Sequence, residues 1–194
     1  SVAGAQQSTK IPRIGYLSTN SREAMASRTE AFHQGLRALG YVEGKTIVIE
    51  YRYGDGNMDR LPALAADLVR LNVDVIVAAG GNSTASATKQ ATQTIPVVMT
   101  NVTDPVGFGF IASLARPGAN ITGLAAISSD LGGKRLELLQ ETFPKVARIA
   151  VLLDPGDASK IVELKEIQAA AKALGVKLQV IEVRNPSDFQ SAFK

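Results

Sequence analysis

The stretch Val73-Asp74-Val75-Ile76-Val77-Ala78-Ala79-Gly80-Gly81-Asn82-Ser83-Thr84 decides the fold. Its first half is nearly continuous Val, Ile and Ala, which predicts a strand covered on both faces, as in a parallel sheet; it is too short for a membrane span. Gly80 and Gly81 then allow a sharp turn and the close approach of a ligand. The residues that follow, Ser83-Thr84-Ala85-Ser86-Ala87-Thr88-Lys89-Gln90-Ala91, are small and predict a helix capped by Asn82 or Ser83. The N–H groups at such a helix start would face the crevice where open α/β sheets bind ligands, and would favour an anionic group such as a carboxylate. An ordinary strand–turn–helix corner is written in the same letters, and this stretch alone leaves both readings open.

On either side the pattern alternates between strand and helix. Ile11-Pro12-Arg13-Ile14-Gly15-Tyr16-Leu17-Ser18 predicts a first strand with Ser18-Thr19-Asn20-Ser21 as its exit, and Asn20 with Glu23 resembles a capping box. Met25, Thr29, Phe32, Leu36 and Leu39 fall at helical spacing and end at Gly40, placed as a C′ glycine. Residues 46–53 predict a strand, and Leu61, Leu64, Leu68 and Leu71 a helix with Pro62 in its first turn. Residues 95–101 predict another buried strand, residues 108–114 a short helix and residues 120–124 a short strand. After a crossover at residues 125–130 the rhythm restarts with two more strands and their helices. The expected organisation is a first α/β lobe at residues 1–127 holding most of a ligand crevice, then an incomplete second lobe at residues 128–194. Loops after the first, organising and 95–101 strands would share one sheet edge.

Composition narrows the function. The 194 residues carry 21 Lys+Arg against 18 Asp+Glu, a net charge of +3, scattered without a basic run, so no nucleic-acid partner is expected. There is no Cys and one His, which removes thiol nucleophiles, Cys-based metal sites and multi-histidine sites. His33, beside Phe32, reads as a surface or packing residue. The first strand–helix turn lacks the glycines of a dinucleotide site. In Gly132-Gly133-Lys134-Arg135 the P-loop Ser/Thr is replaced by Arg135. No catalytic residue, metal or cofactor is expected. Ala3-Gly4-Ala5 has the small-x-small form of a signal-peptidase site; a flexible tail reads equally well there.

Asp104-Pro105-Val106-Gly107, Ala115-Arg116-Pro117-Gly118-Ala119-Asn120-Ile121-Thr122-Gly123 and Gly133-Lys134-Arg135-Leu136-Glu137-Leu138-Leu139 resemble a known family, as do Pro12-Arg13-Ile14-Gly15-Tyr16-Leu17 and Leu39-Gly40-Tyr41-Val42-Glu43-Gly44. The chain is similar to substrate-binding proteins of bacterial ABC transporters of the ABC-sub-bind type, a former unknown-function group that includes aromatic amino-acid binders. The resemblance implies a two-lobed periplasmic-binding-protein type 1 fold, parallel sheets sandwiched by helices, with a small molecule captured between hinged lobes. It also implies an ABC permease as partner and a periplasmic or extracytoplasmic place, reached by a signal peptide absent from this sequence. Members carry more of the second lobe. The unfinished lobe leaves exposed strand edges, so a homodimer through it is a further expectation.

Residues and resemblance point to one ligand edge. Its candidates are Ser18 and Asn20, then Gly80, Gly81, Asn82 and Ser83, then Thr103 and Asp104. Amides of the Gly80 turn would hold a carboxylate and Asp104 an ammonium group, as an amino acid presents them; Asp104 reads equally as a turn or capping residue before Pro105. A ligand sensor or effector domain on the same fold is the alternative, and a doubly wound α/β enzyme a more distant one.

Overall fold

The computed structural model describes residues 10–126 and 131–193. The chain divides into two compact units: the described residues up to Asn101 with Gly109–Leu124, and Val102–Phe108 with the residues from Ala125.

The first sheet has five strands in the order β2-β1-β3-β4-β5. They are β1 (Arg13–Ser18), β2 (Val48–Tyr53), β3 (Val75–Ala78), β4 (Val97–Thr103) and β5 (Ile121–Ala126). Parallel pairing joins β1 to β2, β1 to β3 and β3 to β4, with Ile14 level with Ile49 and Val75, and Tyr16 level with Tyr51 and Val77. Because side chains alternate along a strand, these residues share one face. That face packs with Met25, Phe32 and Leu36 of α1 (Arg22–Ala38). The opposite face holds Gly15, Leu17, Ile76 and Ala78. A Cβ at Gly15 would press within 3.0–3.3 Å of Leu68 and Val73, so glycine there lets α2 (Leu61–Arg70) lie close. Leu61, Ala65 and Leu68, one face of α2, are buried, as are Thr84, Ala85, Ala87 and Thr88 of α3 (Asn82–Ala91).

Local chemistry sets the ends of α1. Ser21, one residue later than expected, is the N-cap: its hydroxyl accepts from the Ala24 N–H at 3.3 Å. At the other end Gly40, at φ 86, closes the helix, with its N–H donating to Arg37 and that of Tyr41 to Leu36. His33 is a packing residue: its Nε2 lies 2.5 Å from the Tyr51 hydroxyl, which donates to Glu43 at 3.3 Å. Burial, with Glu43 adding to it, pushes the Tyr51 phenol well above its usual range. Arg22 lies over the Tyr51 and Tyr53 rings.

Residues 108–114 are not helical. Phe110 and Ile111 are buried as a helix would have them, yet Gly109 sits at φ 67 and Gly118 at φ 82. The left-handed corners break the run into turns, tied by the Ala112 N–H to Pro117 and the Ser113 N–H to Arg116. Of the expected crossover, Ala125 and Ala126 are the last residues of β5, and residues 127–130 lie outside the described residues. The expected signal-peptidase site in residues 1–9 lies outside them too.

The second unit contains α4 (Gly132–Thr142), β6 (Arg148–Leu153), α5 (Ala158–Leu174), β7 (Lys177–Glu182) and α6 (Asp188–Ala192). β6 and β7 pair in parallel as a two-stranded sheet. A Cβ on Gly132 would stand 2.8 Å from Ile167, so this glycine lets the start of α4 touch α5. Among the described residues no helix is long and apolar enough to cross a membrane.

Candidate functional site

The strand order reverses between β1 and β3, and their carboxyl ends lie side by side in register. This is the switch point at which open α/β sheets leave a crevice. The structure joins two of the expected loops here: the Ala79 N–H donates to Leu17 at 2.8 Å and the Thr19 hydroxyl to the Gly80 carbonyl at 3.4 Å. Gly80 must be glycine, because a Cβ would overlap Thr19 Oγ1 and stand 2.6 Å from Thr84.

The helix cap differs from the expectation. Gly81, not Asn82 or Ser83, is the N-cap of α3, at φ 71 and ψ −149, a region open essentially to glycine alone. Gly81 has no side chain with which to cap the helix start, and no acidic residue stands in the first turn. The α3 amino end therefore presents backbone donors and the positive end of the helix dipole without neutralisation by its own sequence. Thr84 turns its hydroxyl back to the Gly81 carbonyl at 3.0 Å, which holds the cap in place.

Among the other expected residues, Asn82 and Ser83 form the first turn of α3 and are half-buried. Ser18 is fully buried at the end of β1, where its hydroxyl accepts from the Asn20 N–H at 3.1 Å. It shapes the exit loop from behind. Asn20 is exposed, its amide turned toward the Met25 sulfur at 3.8 Å. Thr103 and Asp104 belong to the second unit. Thr103 is buried. Asp104, at φ 44, accepts the Gly107 N–H at 2.9 Å, and a Cβ at Gly107 would overlap its carboxylate. The Asp-Pro-x-Gly letters thus spell a carboxylate-closed turn in which position 107 has to be small.

One loop of this edge escaped the sequence reading. Gly54 donates to the Ser18 carbonyl and Gly56 to that of Thr19, each at 2.8 Å, which brings the β2 exit against the β1 exit. Met58 follows on this loop, and the Ser83 hydroxyl donates to its sulfur at 3.5 Å. The Gly54-Asp55-Gly56-Asn57 run marked a turn without revealing which strand end it meets.

Two surface cavities of about 250 and 290 Å³ lie beside α1 and β2, the second reaching Arg22 and Tyr53 near the carboxyl ends of the strands. They share His33 and Glu43, both hydrogen-bonded to the Tyr51 hydroxyl, and read as gaps beside a packed aromatic cluster. Among the described residues no group of His, Cys, Asp and Glu could hold a metal ion.

The family model described as ABC transporter substrate binding protein matches residues 13–194. The chain belongs to this family. It is 30% identical over 166 residues to the tyrosine-binding protein of Clostridioides difficile strain R20291, covering 85% of this chain and 47% of that protein. A crystal structure of a conserved domain protein from Vibrio cholerae is similar at a TM-score of 0.83 and 34% identity, over 94% of this chain and 61% of that one. The ABC domain in complex with L-Trp from Streptococcus pneumoniae shares the fold at a TM-score of 0.79 and 23% identity, with the same coverage of 94% and 61%. The chain thus has the two-lobed periplasmic-binding-protein type 1 fold and spans about half to three-fifths of these relatives' length. The family's role is substrate binding, outside the cytoplasm.

Proposed function

We propose that this chain is the solute-binding component of an ABC importer and takes an amino-acid-like molecule by its carboxylate at the start of α3. The observation that carries the reading is the Gly81 cap: a helix amino end at the switch point whose N-cap residue has no side chain and whose first turn holds no acidic residue. Family membership and the relative named for tyrosine binding support an amino-acid ligand over a sugar or phosphate.

The proposed site comprises Gly80, Gly81, Asn82 and Ser83, with Ser18 and Asn20 shaping the neighbouring exit. Thr103 lies beside the Asp104 turn, and Asp104 pairs with the ammonium group. The lobes are residues 1–127 and 128–194, and capture is by binding alone, without chemistry. The partner is an ABC permease, the place is the periplasm, and an export signal delivers the chain there. In isolation the β6–β7 unit pairs with that of a second copy, because among the described residues its two strands pair only with each other.

Mass spectrometry of small molecules released from protein purified without refolding tests the ligand class. A free α-amino acid is expected. A co-purified sugar, or any ligand without a carboxylate, would overturn the reading.

A further inference from the structure

We propose that Met58 sets which side chains the ligand can carry, by forming the apolar wall next to the carboxylate site; this rests on the carboxylate reading above. Met58 begins a short 3-10 turn, Met58–Arg60, whose start is fixed by the Asn57 side chain accepting the Asp59 N–H at 2.9 Å. The loop before it is anchored to the β1 exit through Gly54 and Gly56, so the methionine stands on a held backbone. Its side chain nevertheless stays in solvent, 38% exposed.

The Ser83 hydroxyl, in the first turn of α3, donates to the Met58 sulfur. A carboxylate received by the amides after Gly81 therefore has this thioether as a near neighbour, and the group on its α-carbon meets sulfur and methylene. A thioether is flexible and polarizable, adapts to the shape laid against it and contacts ring edges favourably. Met58 accordingly favours aromatic and large apolar side chains over small ones. Ser83 serves twice, offering its N–H to the carboxylate and holding the methionine with its hydroxyl.

Calorimetric titration of the 194-residue chain with L-tyrosine, L-leucine and L-alanine, beside Met58→Ala and Met58→Leu, tests this. Met58→Ala is expected to weaken L-tyrosine about two- to tenfold, the range of a sulfur–aromatic contact, and to leave L-alanine within about twofold. Met58→Leu restores L-leucine. The exposed position leaves the thermal midpoint of both variants unchanged, which separates a lost wall from a lost fold. Equal weakening of all three ligands, or an unchanged ranking, would overturn the role of Met58 while leaving the carboxylate site standing. Failure of the unaltered chain to bind any of the three would sink the carboxylate reading, and this inference with it.

Discussion

The strands of the two units are written in similar residues and end in different surroundings. In β1 five of six residues are buried, whereas β6, with the more apolar sequence Arg148-Ile149-Ala150-Val151-Leu152-Leu153, buries only Leu153. β7 buries none of its six. A strand's burial is conferred by its neighbours. β1 has a strand on each side, with α1 on one face and α2 on the other, while among the described residues β6 has β7 alone for a strand partner. The first unit can thus hold loop ends at fixed distances, which a binding edge needs; the second draws its order from the contact of α4 with α5 and from caps. Those caps are Asp157, which accepts from Ser159, and the left-handed Gly175.

Substitutions that strike the backbone of the first unit should have the largest effect. Gly123→Val introduces a side chain at φ 141 where a Cβ would overlap the Met99 carbonyl, and is expected to cost more than about 4 kcal/mol in urea unfolding. Next comes a matched pair of truncations. Leu68→Ala, in a fully buried position, should cost roughly 2–5 kcal/mol, against less than about 1 kcal/mol for Leu152→Ala, which is 40% exposed. Similar losses in both would erase the contrast between the units. Gly81→Ala comes third: strain of about 1–3 kcal/mol at the α3 cap, with amino-acid affinity falling further than stability because the donors themselves are re-aimed.

The smallest effect concerns pH. Asp74 accepts from the Lys10 ammonium and from the Arg13 N–H, each at 2.7 Å, and these bonds, that of Lys10 first, hold its carboxyl below the usual range. A depressed carboxylate contributes stability that is complete above the usual carboxylate pKa and lost as pH falls through the folded value. The melting temperatures of the unaltered chain and Asp74→Asn should therefore differ slightly at neutral pH and converge below about pH 4. A gap that widened with acid would show that the sign is wrong.

The sheet was legible because buried parallel strands announce themselves as Val and Ile runs, and Gly40 and Pro62 mark helix ends by their own covalent geometry. Residues 108–114 misled because Phe110 and Ile111 are buried as a helical face would be, while the φ values of Gly109 and Gly118 are tertiary facts. The caps failed for a related reason. Asn82 and Ser83 are better capping letters than Gly81, but the close approach of Thr19 and Thr84 to Gly80 fixes where the turn ends and the helix starts. Around Gly80 and Gly81, the strand, the turn and the helix that follows could be named from sequence. The Met58 loop could not, since its place depends on backbone bonds from Gly54 and Gly56 to Ser18 and Thr19, more than thirty positions earlier in the chain.

The claim that the α3 amino end receives a carboxylate is tested most directly by following backbone amide resonances while L-tyrosine is added to the isotope-labelled chain. The largest shifts should fall on Gly81, Asn82, Ser83 and Thr84, and tyramine, which lacks the carboxylate, should leave these amides in place. Shifts centred elsewhere in the chain, or equal responses to tyrosine and tyramine, would contradict it.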